Sequence, residues 1–229
     1  MTRALDLTFS LFFLILLAPL LILIAIVIRA ESPGNVIYRQ VRVGRNQELF
    51  EILKFRTMVP EATSLGSSVT TARDPRITRV GRVLRKSKLD EIPQLWNVVK
   101  GEMSLVGPRP DVPEIVDTYT PEMLHIFEVR PGITSVASLD LSNEEELLAL
   151  APEPDDFYIE VVVPAKVLAA MRHVDDRSVR SYFGVILATC RKLILQILGV
   201  ASEGRLTAQL RSALAAGDRA PSEGAGPVG

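Results

Sequence analysis

The stretch "RKSKLDEIPQLWN" sets Asp90 and Glu91 side by side, directly after Arg85, Lys86 and Lys88. Ser87 is an acceptable N-cap, Pro93 fits only the first turn of a helix, and "IPQLWNVVKG" keeps helical apolar spacing until Gly101 supplies a stop. The two carboxylates are therefore expected at a helix N-terminus, where the dipole and the neighbouring cations favour the ionised form. An ionised carboxylate can be a nucleophile or can hold a magnesium ion. "KGEMSLVGPRPDVPE" follows directly and carries Arg109 in a Gly/Pro-rich turn, and arginine offers a planar fork suited to phosphate oxygens. Two acids, a divalent metal and two arginines suit phosphoryl transfer, whereas the acids alone would also be ordinary first-turn residues.

Several elements must position this group. "NVIYRQVRVGRNQELFEILKFRTM" alternates apolar and polar residues around a "VGRNQE" turn, which predicts a short β-hairpin before a segment ending at Met58. "VPEATSLGSSVTTARD" reads as a loop. In "DPRITRVGRVLRKS" the pattern predicts a helix with Asp74 as N-cap, Pro75 at its first position, and Ile77, Val80 and Leu84 on one face. Arg73, Arg76, Arg79, Arg82 and Arg85 recur every third residue, so they fan around the axis and cannot share one ligand. The first four are expected on solvent or lipid phosphates. Arg85, five residues before Asp90, is assigned to the site.

At 229 residues the chain suits one domain with appendages. Its formal net charge of -1 argues against a uniformly basic nucleic-acid binder, although residues 29 to 110 hold most of the Arg and Lys. Cys190 is the only cysteine and His125 and His173 the only histidines, which excludes an intrachain disulfide and a Cys/His zinc set. Phe9 to Ile28 contains no charged residue, about the length an α-helix needs to cross hydrocarbon. Pro19 stands in the middle of that run and should kink it. Basic residues flank both ends, so a kinked span and a helix that re-enters the same leaflet are both open.

"KFRTM", "RITRVGRVLRKSKLDEIPQLWNVVKGEMSLVGPRP" and "RPGIT" resemble the signatures of the small monotopic bacterial phosphoglycosyl transferases, the bacterial sugar transferase family, from the apolar helix to about Thr134. The resemblance implies transfer of a sugar 1-phosphate from a nucleotide diphosphate sugar, usually a UDP-sugar, to a polyprenyl phosphate, initiating glycoconjugate assembly at the cytoplasmic face of the bacterial inner membrane. By this resemblance Asp90 is the nucleophile and the magnesium ligand, Glu91 its acidic partner, and Arg85, Arg109 and Lys54 substrate-binding residues. It also implies a re-entrant helix broken at a Ser-Pro pair, for which Pro19 fits but Ala18 departs. Lys88 replaces the family's usual serine two residues before the nucleophile.

The expected fold is α-dominated α+β. Residues 1–30 form a re-entrant membrane helix-break-helix; 31–200 form a small globular catalytic domain with a short β-hairpin and interfacial amphipathic helices; 201–229 form a largely disordered tail. Glu144, Glu145 and Glu146 read as a solvated helix start, and "DRSVRSYFGVILATCRKLILQILG" as either an interfacial helix or a core helix. Partners are the nucleotide sugar, the polyprenyl phosphate and membrane lipid, with homo-oligomerisation left open. A membrane-tethered phosphohydrolase and a non-catalytic lipid-binding scaffold are the alternatives, distinguished by releasing free phosphate or nothing.

Overall fold

The computed structural model describes residues 2–60, 62, 74–141, 147–176, 178–198, 200 and 204–216; Glu144, Glu145, Glu146 and Arg73 lie outside them. The apolar run forms α1, Thr2–Glu31, with Pro19 inside it. The break expected at Pro19 is absent, and the helix is one uninterrupted element. Proline forfeits a single backbone bond, and the Leu- and Ile-rich runs on either side sustain the helix.

The buried residues of α1 lie only towards its two ends: Asp6 and Ser10, then Ile24 and Ile28. Arg3 donates to the carbonyls of Val98 and Val99 at 2.6 and 3.1 Å. Asp6 accepts from Ser104 Oγ, the Leu105 amide and Tyr182 Oη at 2.8 to 3.0 Å. Ile24 and Ile28 pack with Phe55 and Leu84. Between these anchors the helix turns its side chains outward, Ile15 being 76% and Ile22 62% exposed.

The alternating stretch folds as expected into a hairpin, β1 (Ile37–Val43) and β2 (Leu49–Phe55), antiparallel in the register Ile37↔Phe55 to Val43↔Leu49. The following helix, α2, spans Arg79–Ser87 and starts later than the pattern predicts. Thr78 is its N-cap, accepting from the Gly81 amide, while Asp74 instead takes the amide and guanidinium of Arg76 in a turn. Gly81 is required by a close approach, since a Cβ there would lie 2.0 Å from the Thr57 carbonyl oxygen. The next helix, α3 (Gln94–Lys100), ends as predicted at Gly101, whose φ is 93°.

A short parallel pair, β3 (Ser104–Val106) and β4 (Gly132–Thr134), lays "RPGIT" beside "SLVGPRP". There Gly107 and Gly132 touch backbone to backbone, with room for no side chain between them. Among the described residues the remaining α-helices are α4 (Pro113–Val116), α5 (Val136–Asp140), α6 (Pro154–Phe157), α7 (Val163–Asp175), α8 (Val179–Ile197) and α9 (Arg205–Ala216), with a π-helical turn Tyr158–Val162 joining α6 to α7. Within the segment from residue 201 expected to be a largely disordered tail, Arg205–Ala216 is helical. Ala, Leu and Gln favour helix there, and Leu210, 1% exposed, fills a cluster with Leu141, Leu147, Leu148 and Val162.

In the segment read as either an interfacial or a core helix, α8 packs one side on the domain and leaves the other exposed. Tyr182 and Val185 are buried, while Phe183, Leu187, Ile194 and Leu198 are 43%, 73%, 57% and 69% exposed. One stripe packs on the domain and the opposite stripe presents apolar surface.

Candidate active site

The geometry around the acidic pair begins at the end of α2. Ser87 is the last residue of that helix and donates its hydroxyl back to the Val83 and Leu84 carbonyls, so it does not cap the next one. Lys88 then adopts a left-handed conformation, φ 57°, and closes α2 by donating its amide to Arg85 and Leu84. Leu89–Glu91 form a 3₁₀ turn that precedes Pro93 and α3. The carboxylates thus occupy the tight corner between two helices, just ahead of the predicted first turn. Leu89 packs on the α1 cluster and sets the corner against the second end of the apolar helix.

Three segments converge on Glu91. From β2, Lys54 Nζ reaches Glu91 Oε1 at 3.2 Å; from the turn after β3, Arg109 reaches the same carboxylate through both terminal nitrogens, at 2.5 and 3.3 Å. The Glu91 side chain is 12% exposed, Lys54 18% and Arg109 33%. Asn97 locks this convergence: it is fully buried, accepts from the Leu53 amide at 3.0 Å, and donates to the Glu51 carbonyl and Glu102 Oε2 at 2.7 Å each. By tying α3 to β2 it fixes Lys54 opposite Glu91. Sequence reasoning missed Asn97, whose one signal was a polar residue among the apolar positions of a short helix.

Asp90 differs from its neighbour. It is 7% exposed, and its Oδ1 is buried without a hydrogen-bond partner among the described residues. Burial, then the charge of Glu91, push its carboxyl above the usual range, against Lys54, Lys88 and Arg85. That corrects the expectation that the helix dipole and nearby cations would dominate. Burial would also raise Glu91, but Arg109, then Lys54, bring it well below the usual carboxylate range. Burial pushes Lys54 down to about 8, with Glu91 opposing. One acid is thereby held as an ion in a salt-bridged cluster, and the other keeps a bare oxygen.

Arg85 belongs to this neighbourhood: its Nε donates to Thr57 Oγ1 at 3.2 Å, and its charge acts on Asp90. Arg79 and Arg82 are exposed, as expected. Arg76 is not. It pairs with Asp74 at 2.6 Å, donates to the Ala62 carbonyl at 3.1 Å, and is 13% exposed at its side chain, because the turn before α2 folds it inward. His125 forms an exposed bond with Glu128 at 2.9 Å in a separate 3₁₀ segment, Met123–Glu128. Among the described residues no three His, Cys, Asp or Glu side chains gather as a metal-binding group. An ion held here would take one protein carboxylate and complete its shell from substrate phosphates and water, a mode that suits magnesium. The orphaned Oδ1 of Asp90 fits that role, whereas both Glu91 oxygens are engaged by cations.

The chain is 43% identical over 150 residues, 62% of its length, to an undecaprenyl-phosphate glucose phosphotransferase of Komagataeibacter xylinus, and covers 28% of that protein. It is 44% identical over 142 residues to a UDP-glucose:undecaprenyl-phosphate glucose-1-phosphate transferase of Caulobacter vibrioides, covering 60% of this chain and 52% of the relative. Over 163 residues it is 40% identical to a UDP-N-acetylgalactosamine-undecaprenyl-phosphate N-acetylgalactosaminephosphotransferase of Aeromonas hydrophila, covering 69% and 38%. The chain thus spans between 28% and 52% of the length of these relatives. With the family described as bacterial sugar transferase matched over residues 1–196, a stretch that contains the whole corner around Asp90, the chain belongs to the bacterial sugar transferase family.

Proposed function

We propose that this chain transfers a sugar 1-phosphate from a nucleotide diphosphate sugar to a polyprenyl phosphate in the membrane. The observation that carries the reading is the contrast inside the acidic pair: a buried carboxylate oxygen without a partner at Asp90, beside Glu91 fixed by Lys54 and Arg109. An unpartnered oxygen on a buried, rigid corner is available to a phosphorus atom, and catalysis of this class is mainly positioning and charge stabilisation. The Asp90 oxygen bonds to the sugar-bearing phosphorus, the bond to the bridging oxygen breaks, and the nucleoside monophosphate leaves with that electron pair. An oxygen of the carrier phosphate then attacks the same phosphorus, the bond to Asp90 breaks, and the carboxylate is restored as the polyprenyl diphosphate sugar departs.

Arg109 and Lys54, gathered on Glu91, set positive charge where the diphosphate must lie, and Arg85 adds to it from α2. Magnesium, held by Asp90, would supply further neutralisation of diphosphate charge. The printed names of the relatives favour a UDP-sugar and undecaprenyl phosphate.

The reading extends to the membrane, where α1 supports a re-entrant placement. Both of its ends rest on the same small domain, through Arg3 and Asp6 at one and Ile24 and Ile28 at the other, while its middle is apolar and outward. A polar domain cannot follow both ends of a span across hydrocarbon, which supports a helix that sinks into one leaflet with both of its ends at the same face. Nucleotide sugars are cytoplasmic, which favours that face for the domain and both ends of α1.

The test supplies radiolabelled UDP-sugars and polyprenyl phosphate to the purified protein in detergent with magnesium. Lipid-linked sugar phosphate and released UMP are expected, by ping-pong kinetics. Free phosphate without a lipid product, or UMP release that requires both substrates at once, would overturn the mechanism.

A further inference from the structure

We propose that Lys88 and Lys192 together form the docking point for the phosphate of the acceptor, a phosphate monoester on an apolar tail, as a subsite distinct from the cluster of Glu91, Lys54 and Arg109. This rests on the phosphotransfer reading above. Lys88 occupies a left-handed helix cap that favours glycine, and it is exposed, with no hydrogen bond or ion pair to its ammonium group among the described residues. It stands two residues before Asp90, and its charge reaches both Asp90 and Glu91.

The inner stripe of α8 brings up the second cation. Thr189 Oγ1 lies 2.6 Å from Thr134 Oγ1 at the end of β4, Lys192 Nζ donates to the carbonyls of Ser138 and Leu139 at 3.0 Å each, and Gln196 Nε2 donates to the Lys86 carbonyl at 3.0 Å. Gln196 is one helical turn beyond Lys192, and Lys86 is two residues before Lys88, so the last turns of α8 lie against the corner that carries Asp90. Lys192 uses two of its three N–H groups on those carbonyls. Burial, then repulsion from Lys88, lower it to about 8, with Asp140 opposing. Two ammonium groups held within reach of one another repel, and a doubly charged phosphate placed between them relieves that repulsion.

The tail of the ligand decides its class. The stripe of α8 opposite Lys192 is Phe183, Leu187, Ile194 and Leu198, all exposed, and the Phe183 ring meets that of Phe9 on α1 at 6.4 Å. Apolar surface therefore runs from the membrane helix along the outer face of α8, while Lys192 stands on its inner face beside the corner that carries Asp90. The acceptor in the phosphotransfer reading carries an apolar tail, whereas a soluble phosphate has no use for that outer face.

The experiment measures KM for acceptor and donor separately, in detergent micelles, for the full chain and for Lys88→Ser, Lys88→Arg and Lys192→Met. Loss of a charge-assisted contact to the acceptor should raise acceptor KM about tenfold. Donor KM should move by less than about threefold, and Lys88→Arg should restore most of the loss. Because Lys88 is exposed, its serine variant carries the test even if Lys192→Met misfolds. Equal effects on both KM values, or an effect on the donor alone, would overturn the subsite. Inorganic phosphate tests the source: weak competition against the lipid, diminished in Lys88→Ser, is expected, and inhibition as strong as that of the lipid phosphate would show a soluble-anion site and overturn the lipid assignment. Failure of the phosphotransfer reading shows separately, as no UMP released by the unaltered protein given donor alone, and it removes the subsite with it.

Discussion

Asp6 and Asp90 are both buried carboxylates, but under opposite terms. Asp6, on α1, takes hydrogen bonds from Ser104, Tyr182 and the Leu105 amide and is 2% exposed. Asp90, 7% exposed, leaves an oxygen with no partner. A buried charge costs free energy unless its lone pairs are satisfied. At Asp6 the donors meet that cost and fasten α1 to β3 and α8, so the residue acts as a rivet. At Asp90 the cost is left standing, and the cluster around Glu91, Lys54 and Arg109 holds the corner in place. Burial alone says little about a carboxylate's role; the state of its oxygens says more.

The sharpest way to break this comparison is to neutralise each acid. Asp90→Asn should lower turnover by at least about a thousandfold while leaving the thermal midpoint unchanged or higher, since it removes a buried charge without stranding a donor. Activity within tenfold of the parent, or a large fall in the midpoint, would make Asp90 a second rivet. Asp6→Ala should do the reverse. With two buried hydroxyls and an amide left without their acceptor, it should cost about 3 kcal/mol and lower the midpoint by about 6 to 12 °C, with activity per folded molecule largely kept.

Arg76 and Arg79 sharpen the contrast on one helix start. Arg76→Ala strands Asp74 and should cost about 2 kcal/mol by denaturant unfolding, whereas the exposed Arg79→Ala should cost less than about 0.5 kcal/mol. Equal effects would mean that the Asp74 pair contributes nothing to the loop before α2.

The smallest predicted effect concerns pH. Lys54 is lowered to about 8, so above that pH Glu91 loses one of its two cations and activity should decline; Lys54→Arg should move that limb upward. Stability should not follow. The folded value lies below the ordinary lysine value of 10.5, so the neutral form favours folding and this group's contribution rises between about 8 and 10.5. A parallel fall of activity and stability through pH 8 would assign the decline to unfolding.

Much of this was legible in the chain. Alternation fixed the hairpin, the apolar run fixed α1, and adjacency fixed Asp90 beside Glu91. The approach of Lys54 to Glu91 was not legible as geometry, because 37 residues separate them and the contact depends on Asn97 tying α3 to β2. Three-residue spacing placed Arg76 on the surface, yet the local turn with Asp74 took it inward. Asp90's displaced acidity was misjudged for a related reason: cations are visible in a sequence, while desolvation is a property of the packed fold. The position of α9 escaped because its composition resembles that of a solvated tail, and only Leu210 meeting distant leucines gives it a place.

That last helix has a practical consequence for anyone shortening the gene. The family match stops at residue 196, and a trimmed protein ending there would look complete by homology. It would nonetheless lack Leu210 and the Thr207 hydroxyl bonded to the Asp140 carbonyl, and would open Leu141, Leu147, Leu148 and Val162 to water. Purification should then yield a sticky, aggregating product whose defect would be mistaken for detergent incompatibility, when the cure is to retain the chain through Ala216.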